Sequence, residues 1–145
     1  MIPVLVVVVA AQLVPARRTN PPTKGALAAP PEVEAALSRA CYDCHSNATR
    51  WPWYSHIAPA SWLMVHDVNL GRKELNFSQW GSYYPATRKR KLEWMGRVLR
   101  RENMPPWYYR VLHPGATLTD AERARLEQWI DSAPITTASD QPSGK

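Results

Sequence analysis

The sequence predicts an all-α fold, about four helices joined by long proline-rich connections, and three observations predict it. Apolar residues recur at helical spacing in four separate stretches. No alternating apolar and polar run is long enough to argue for a sheet. Fourteen prolines in 145 residues make stiff, irregular joints between the periodic stretches. A chain of this length holds one domain plus tails and a modest core.

Taken in order, residues 2–14 form an apolar run broken only by Gln12 and followed by Pro15, Arg17 and Arg18. About thirteen residues fall short of the roughly twenty that cross a bilayer. Residues 1–18 therefore read as a signal peptide, with Val8-Val9-Ala10 as a small-residue cleavage site, or as an N-terminal membrane anchor, and the anchor is favoured. No Lys or Arg precedes the run and the arginine pair lies on the side to be translocated, so a longer, charged segment ahead of Met1 is expected. Residues 19–30 are polar, proline-containing and aperiodic, and read as a linker.

The domain proper is predicted over residues 31–133. Pro31 is suited to a first helical position, with Glu32 and Glu34 favouring the helix dipole. Val33, Ala36, Leu37, Ala40, Cys41 and Cys44 continue one face at spacings of three and four. A second helix is predicted from Pro59 to about Gly71, with Trp62, Leu63, His66, Asn69 and Leu70 on one side. Residues 75–78 and 81–85 read as a turn-rich connection. The third helix, residues 87–102, carries Leu92, Met95, Val98 and Leu99 as its apolar stripe and seven Lys or Arg around the rest. Met104-Pro105-Pro106 leaves the helix. The last helix opens on a capping box, Thr119-Asp120-Ala121-Glu122, with Ala121, Leu126, Trp129 and Ile130 inward. Residues 134–145 read as a disordered tail.

Both cysteines stand in Cys41-Tyr42-Asp43-Cys44-His45, the spacing that attaches a c-type haem. Two thiols three residues apart can form thioethers with a porphyrin's vinyl groups while the adjacent imidazole supplies a nitrogen to iron. A redox-active dithiol normally follows a strand, and the residues ahead of Cys41 read as helix. A structural zinc site wants four ligands, and there is no second cysteine pair. The sequence therefore predicts one covalent haem c.

Seven Trp against one Phe suit walls around a flat cofactor, with an ordinary Trp-rich core as the alternative. Arg50-Trp51-Pro52-Trp53-Tyr54-Ser55 cannot be regular helix and comes closely after the attachment point. Arg50, Trp51, Trp53 and Tyr54 can wrap the porphyrin edge and bind propionates, or pack as a lid. The formal net charge is +6. With no nucleic-acid recognition motif, an acidic protein partner, anionic lipid or simple solubility accounts for it better than nucleic acid.

His45 would occupy one face of the iron, leaving Met104, Met64, Met95, His56, His66 and His113 as candidates for the other. Met104 is preferred, because a proline-rigidified loop can approach a cofactor without distorting a helix and a thioether raises the potential. His113, before Pro114 and Gly115, braces its loop or meets a propionate. A histidine ligand and an open site are the alternatives.

These residues resemble a family of small bacterial exported monohaem c-type modules, the "haem-binding domain" family. The resemblance rests on Cys41-Tyr42-Asp43-Cys44-His45-Ser46-Asn47, Trp51-Pro52-Trp53-Tyr54-Ser55, Leu75-Asn76-Phe77-Ser78, Met104-Pro105, and Leu112-His113-Pro114 with the helix from Leu118 to Trp129. It implies a cytochrome c-like fold, haem held by Cys41, Cys44 and His45, Met104 as sixth ligand, and a location on the periplasmic side of the cytoplasmic membrane, often tethered. The function expected is electron transfer rather than catalysis. Redox proteins, including a membrane-bound respiratory or photosynthetic complex, are the expected partners. A peroxidatic enzyme, a gas or redox sensor, or a haem-bearing subunit of a larger complex is the alternative.

Overall fold

The computed structural model describes residues 2–133, and among them there are helices and turns but no strand. The expected tail from residue 134 lies outside the described residues. The all-α expectation holds. Among the described residues seven α-helices succeed one another: α1 (Ile2–Ala11), α2 (Pro31–Ala40), α3 (Tyr42–His45), α4 (Ala60–Glu74), α5 (Pro85–Arg100), α6 (Trp107–Leu112) and α7 (Asp120–Ser132). Short 3-10 turns cover Trp53–His56, Phe77–Ser82 and Pro114–Ala116. The four predicted helices are α2, α4, α5 and α7.

Helix α2 begins at Pro31 and buries Val33, Ala36, Leu37 and Ala40, the face its spacing predicts. It ends at Cys41, whose backbone turns away at φ −124°, and α3 is a separate turn. The face expected to run unbroken through both thiols is thus interrupted between them. Cys41 packs against one core cluster and Cys44 against another.

Helix α4 departs from expectation twice. It continues three residues past Gly71, to Glu74, and its buried residues are Ser61, Met64, Val68 and Gly71 rather than the side carrying Trp62, His66 and Asn69. Gly71 is no helix end. A Cβ there would lie 2.5 Å from the Cys44 carbonyl oxygen, so the missing side chain is what lets α4 approach α3. Helix α5 buries Leu92, Met95 and Leu99 as predicted, together with one of its six cations, Arg88, which donates to the carbonyls of Trp80 and Gly81. The capping box of α7 is formed in both directions, Thr119 Oγ1 accepting from the Glu122 N–H and the Glu122 carboxylate from the Thr119 N–H. Ala121 is exposed, while Leu126, Trp129 and Ile130 are buried. The sequence reading missed α6, a two-turn helix within its proline-rich connection.

Apolar residues separate into two clusters. The larger joins α2, α5 and α7 with Leu75, Phe77, Trp80 and Leu118. The smaller joins Met64 and Val68 of α4 with Tyr109 of α6 and Ala116. The motif residues bridge the two. Residues 19–30 hold no helix, but they are laid against the body: Lys24 and Leu27 donate backbone N–H groups to Ser78 and Phe77, Gly81 donates to Gly25, and Leu27 and Ala29 pack on the larger cluster. Of the seven Trp, only Trp80 and Trp129 are core residues, so the aromatic load is mostly at or near the surface.

Candidate haem site

Between the two clusters lies a cavity of about 360 Å³, within the usual range for small-molecule sites. Cys41, Cys44 and His45 line it from one side. Helix α4 contributes Ala60, Leu63, Met64, Asp67, Leu70, Gly71 and Glu74, a stripe at spacings of three and four. Met104, Pro105 and Pro106 enter from the loop after α5, and Tyr108, Tyr109 and Leu112 from α6. Leu63 and Leu70 are half exposed in the chain alone, at 52% and 48%, because their apolar ends border this space rather than the core.

The imidazole of His45 is fixed by a main-chain partner. Its Nδ1 lies 3.0 Å from the carbonyl oxygen of Leu75, just past the end of α4. With Nδ1 as donor, the lone pair is on Nε2, the nitrogen then available to a metal. Burial holds the imidazole below its ordinary pKa, against the opposing pull of the Leu75 and Gly71 carbonyls, so the neutral, ligating form is favoured. Phe77 meets the ring edge-on at 6.4 Å. The connection that sequence reading treated as a turn is thus the wall behind His45. Its Asn76 side chain donates to Asn47 and accepts from the Ser78 N–H, and Ser78 Oγ accepts from the Asn47 N–H. Buried polar side chains that close on one another in this way join Leu75-Asn76-Phe77-Ser78 to Ser46-Asn47.

The thiols of Cys41 and Cys44 are free. Both are pushed up to about 12, Cys41 by burial and then Cys44, and Cys44 by burial and then Asp67 and Asp43. A redox-active dithiol needs the opposite, a stabilised thiolate. Among the described residues no three His, Cys, Asp or Glu side chains gather as a metal site. Two neutral thiols, an imidazole with one nitrogen uncommitted, a thioether and a largely apolar cavity form a donor set that fits a haem.

The other predicted residues divide between this cavity and a neighbouring one of about 460 Å³. Tyr54 lines the first, and Arg50, Trp51 and His113 line the second. Asp43 and Tyr109 border both. Asp43 is the buried hub that sequence reading missed. Its carboxylate accepts from the Arg50 backbone N–H at 2.9 Å, from the Arg50 guanidinium at 3.2 Å twice, and from the Tyr109 hydroxyl at 2.7 Å. The Trp51 indole donates to Asn20, and Tyr54 Oη and His113 Nε2 are 3.3 Å apart. His113 stacks on Tyr109 with ring centres 4.1 Å apart. Trp53 is set apart, 76% exposed, and borders neither cavity. Trp94 is the single Trp on the first cavity, whose other aromatic walls are tyrosines.

Of the remaining candidate ligands, Met64 also borders the cavity, Met95 belongs to the larger core cluster, and His56 and His66 are exposed. No signal in the sequence pairs Asp43 with Tyr109, 66 residues away.

With this geometry in place, comparison with known proteins is decisive for the family. A model of the haem-binding domain matches residues 6–132. The chain belongs to the haem-binding domain family. It binds haem, which the cavity's donor set fits. It is also 33% identical over 98 residues to the cytochrome c peroxidase Ccp of Escherichia coli K12, a match covering 63% of this chain and 20% of that protein. The chain therefore spans about a fifth of that relative's length. No solved structure matches.

Proposed function

We propose that this haem-binding domain is an electron-transfer module carrying one haem c, attached through Cys41 and Cys44, with His45 and Met104 as axial ligands. The observation that carries the reading is the cavity between the clusters, where both thiols, an imidazole tethered through Nδ1, and the Met104 loop meet. A haem bound there supplies an iron that accepts and returns one electron. The chain's own residues hold it, keep the imidazole neutral, exclude water with Leu63, Leu70 and Leu112, and place a soft thioether on a loop free of helical constraint. Arg50, Trp51, Tyr54 and His113 are proposed to serve the porphyrin's polar edge; Trp53, which borders neither cavity, is not among them. The protein works on the periplasmic side of the cytoplasmic membrane, exchanging electrons with redox proteins or a membrane-bound respiratory or photosynthetic complex.

A redox-titrated optical spectrum of the purified protein tests this. A covalent c-type spectrum with His/Met ligation is expected, and Met104→Ala should lower the potential and open the site. An unchanged spectrum and potential in that variant would exclude Met104. The peroxidase name of the partial relative favours a second reading, a peroxidatic or gas-sensing site. Rapid, stoichiometric carbon monoxide binding by the reduced native protein would select it.

A further inference from the structure

We propose that the face formed by α1, the Trp53–His56 turn and the first turn of α4 rests on a phospholipid bilayer, with residues 12–20 as a rigid strut that fixes how the domain stands there. Two observations point to this, one in α1 and one in the segment between α1 and the body of the domain.

Val4 to Val9 are each 51–67% exposed, and no side of α1 carries a charge. A helix that pairs with protein buries one stripe and shows water the rest, whereas one apolar on every side suits a solvent that is apolar on every side. A helix lying flat in the interface would need a polar face, which α1 lacks. Ten residues extend about 15 Å, half the roughly 30 Å of a bilayer's hydrocarbon core. Among the described residues no helix is long and apolar enough to cross a membrane. Helix α1 therefore enters the hydrocarbon end-on rather than lying in the interface.

The segment after α1 is bonded down at every turn. Gln12 Oε1 accepts from the Ala58 N–H at 2.9 Å, and Gln12 Nε2 donates to the Ala58 carbonyl at 3.2 Å. The Trp62 indole donates to Val14 O, Arg18 to Ser55 O, Arg72 to Thr19 O and Asn20 to Thr49 O. A swinging tether would leave these main-chain groups to water. Because Gln12 and Val14 grip Ala58 and Trp62, and Arg18 grips Ser55, the exposed Ile57 and Trp62 stand beside the foot of α1, with the exposed Trp53 in the turn tied down by Arg18. Indoles with one apolar and one wet side suit the headgroup region, and the exposed Arg17 suits anionic lipid.

The test uses the haem-loaded full chain and vesicles of phosphatidylcholine with phosphatidylglycerol. The parent should float with the vesicles. Trp53→Ser with Ile57→Ser should weaken partitioning about tenfold, the effect expected of losing two partly buried apolar side chains. Trp107→Ser with Val111→Ser, which removes equally exposed apolar groups from α6, should leave partitioning unchanged. In oriented bilayers the parent's haem absorption should show linear dichroism. Gln12→Ala, Arg18→Ala and Asn20→Ala combined with Trp62→Phe should keep flotation but lose the dichroism, because five of the six bonds that hold the strut are removed and the tether is kept. Failure to float, partitioning insensitive to the Trp53 and Ile57 change, or dichroism that survives the strut variant would each overturn the proposal. So would a stable dimer that buries α1 and ignores vesicles. A parent without a haem band would refute the cofactor reading instead, and flotation would still decide this one.

Discussion

Replacing Gly71 with alanine pits two effects of known size against each other. Alanine in a helix interior is favoured over glycine by about 1 kcal/mol, so on propensity alone the variant should be more stable. Against that, the new Cβ would meet the Cys44 carbonyl oxygen at 2.5 Å, its carbonyl carbon at 3.0 Å and its Cβ at 3.1 Å. Two of these three atoms are backbone in the turn that carries the thiols, so no side chain can rotate aside and α4 itself has to shift. Overpacking of this kind costs about 1–3 kcal/mol, and a rigid neighbour puts it at the upper end. The expected result is a net loss of about 1–2 kcal/mol, a fall in Tm of roughly 4–8 °C. The same shift would carry Leu75 away from His45, so the visible spectrum should change with it. Gly96→Ala is the matched control: its Cβ meets only the guanidinium end of Arg100, at 3.2 Å, which is free to move. It should raise Tm. Thermal unfolding of the two haem-loaded variants decides the matter. A Gly71→Ala protein as stable as Gly96→Ala would refute the close approach as the reason for the glycine.

Other consequences are open to measurement. Tyr109→Phe keeps the stack on His113 but removes a donor to the buried Asp43 carboxylate, and denaturant unfolding should show a loss of about 1.5–3 kcal/mol. Thr119→Ala breaks the capping box of α7 and should cost about 1 kcal/mol by the same assay. Tyr42 and Tyr109 are held well above the ordinary tyrosine range, by burial and then by Glu34 and Asp43 respectively, while burial and then Asp67 push Tyr108 up to about 12. An unfolded chain releases these protons near pH 10, before the native one does, so their contribution to stability is complete below about pH 10 and declines as pH rises above it. Ultraviolet titration of the native protein should show these three tyrosinates lagging; release together with the unfolded chain's would contradict the burial assigned to them.

What could be read from the sequence was local. Pro31, the glutamates after it and the stripe from Val33 to Ala40 act within one helix, and so does the capping box at Thr119. The five-residue motif placed both thiols and His45 on the cavity wall. Long-range features were illegible for physical reasons. A glycine looks the same whether it ends a helix or admits a neighbouring backbone, so the sequence predicts an end at Gly71 where the fold has a close approach. An apolar side chain looks the same whether it faces the core or a cofactor cavity, so the spacing groups Leu63 and Leu70 with Trp62 and His66 on one side. Asp43 and Tyr109 meet across 66 residues, and the Leu75 carbonyl that orients His45 belongs to the backbone, which sequence does not distinguish from one position to the next.

That last contact bears on how such a domain can vary. Every residue type carries a carbonyl, so no substitution at position 75 deletes the acceptor that holds His45. The proximal side is insulated from point mutation except through changes that move the whole segment, such as filling Gly71. The opposite wall has no such insurance, because whatever Met104 contributes resides in its side chain alone. Under the proposed ligation, drift in redox potential among relatives should therefore concentrate in the loop after α5, while the histidine's surroundings stay constant in chemistry even where their residues differ.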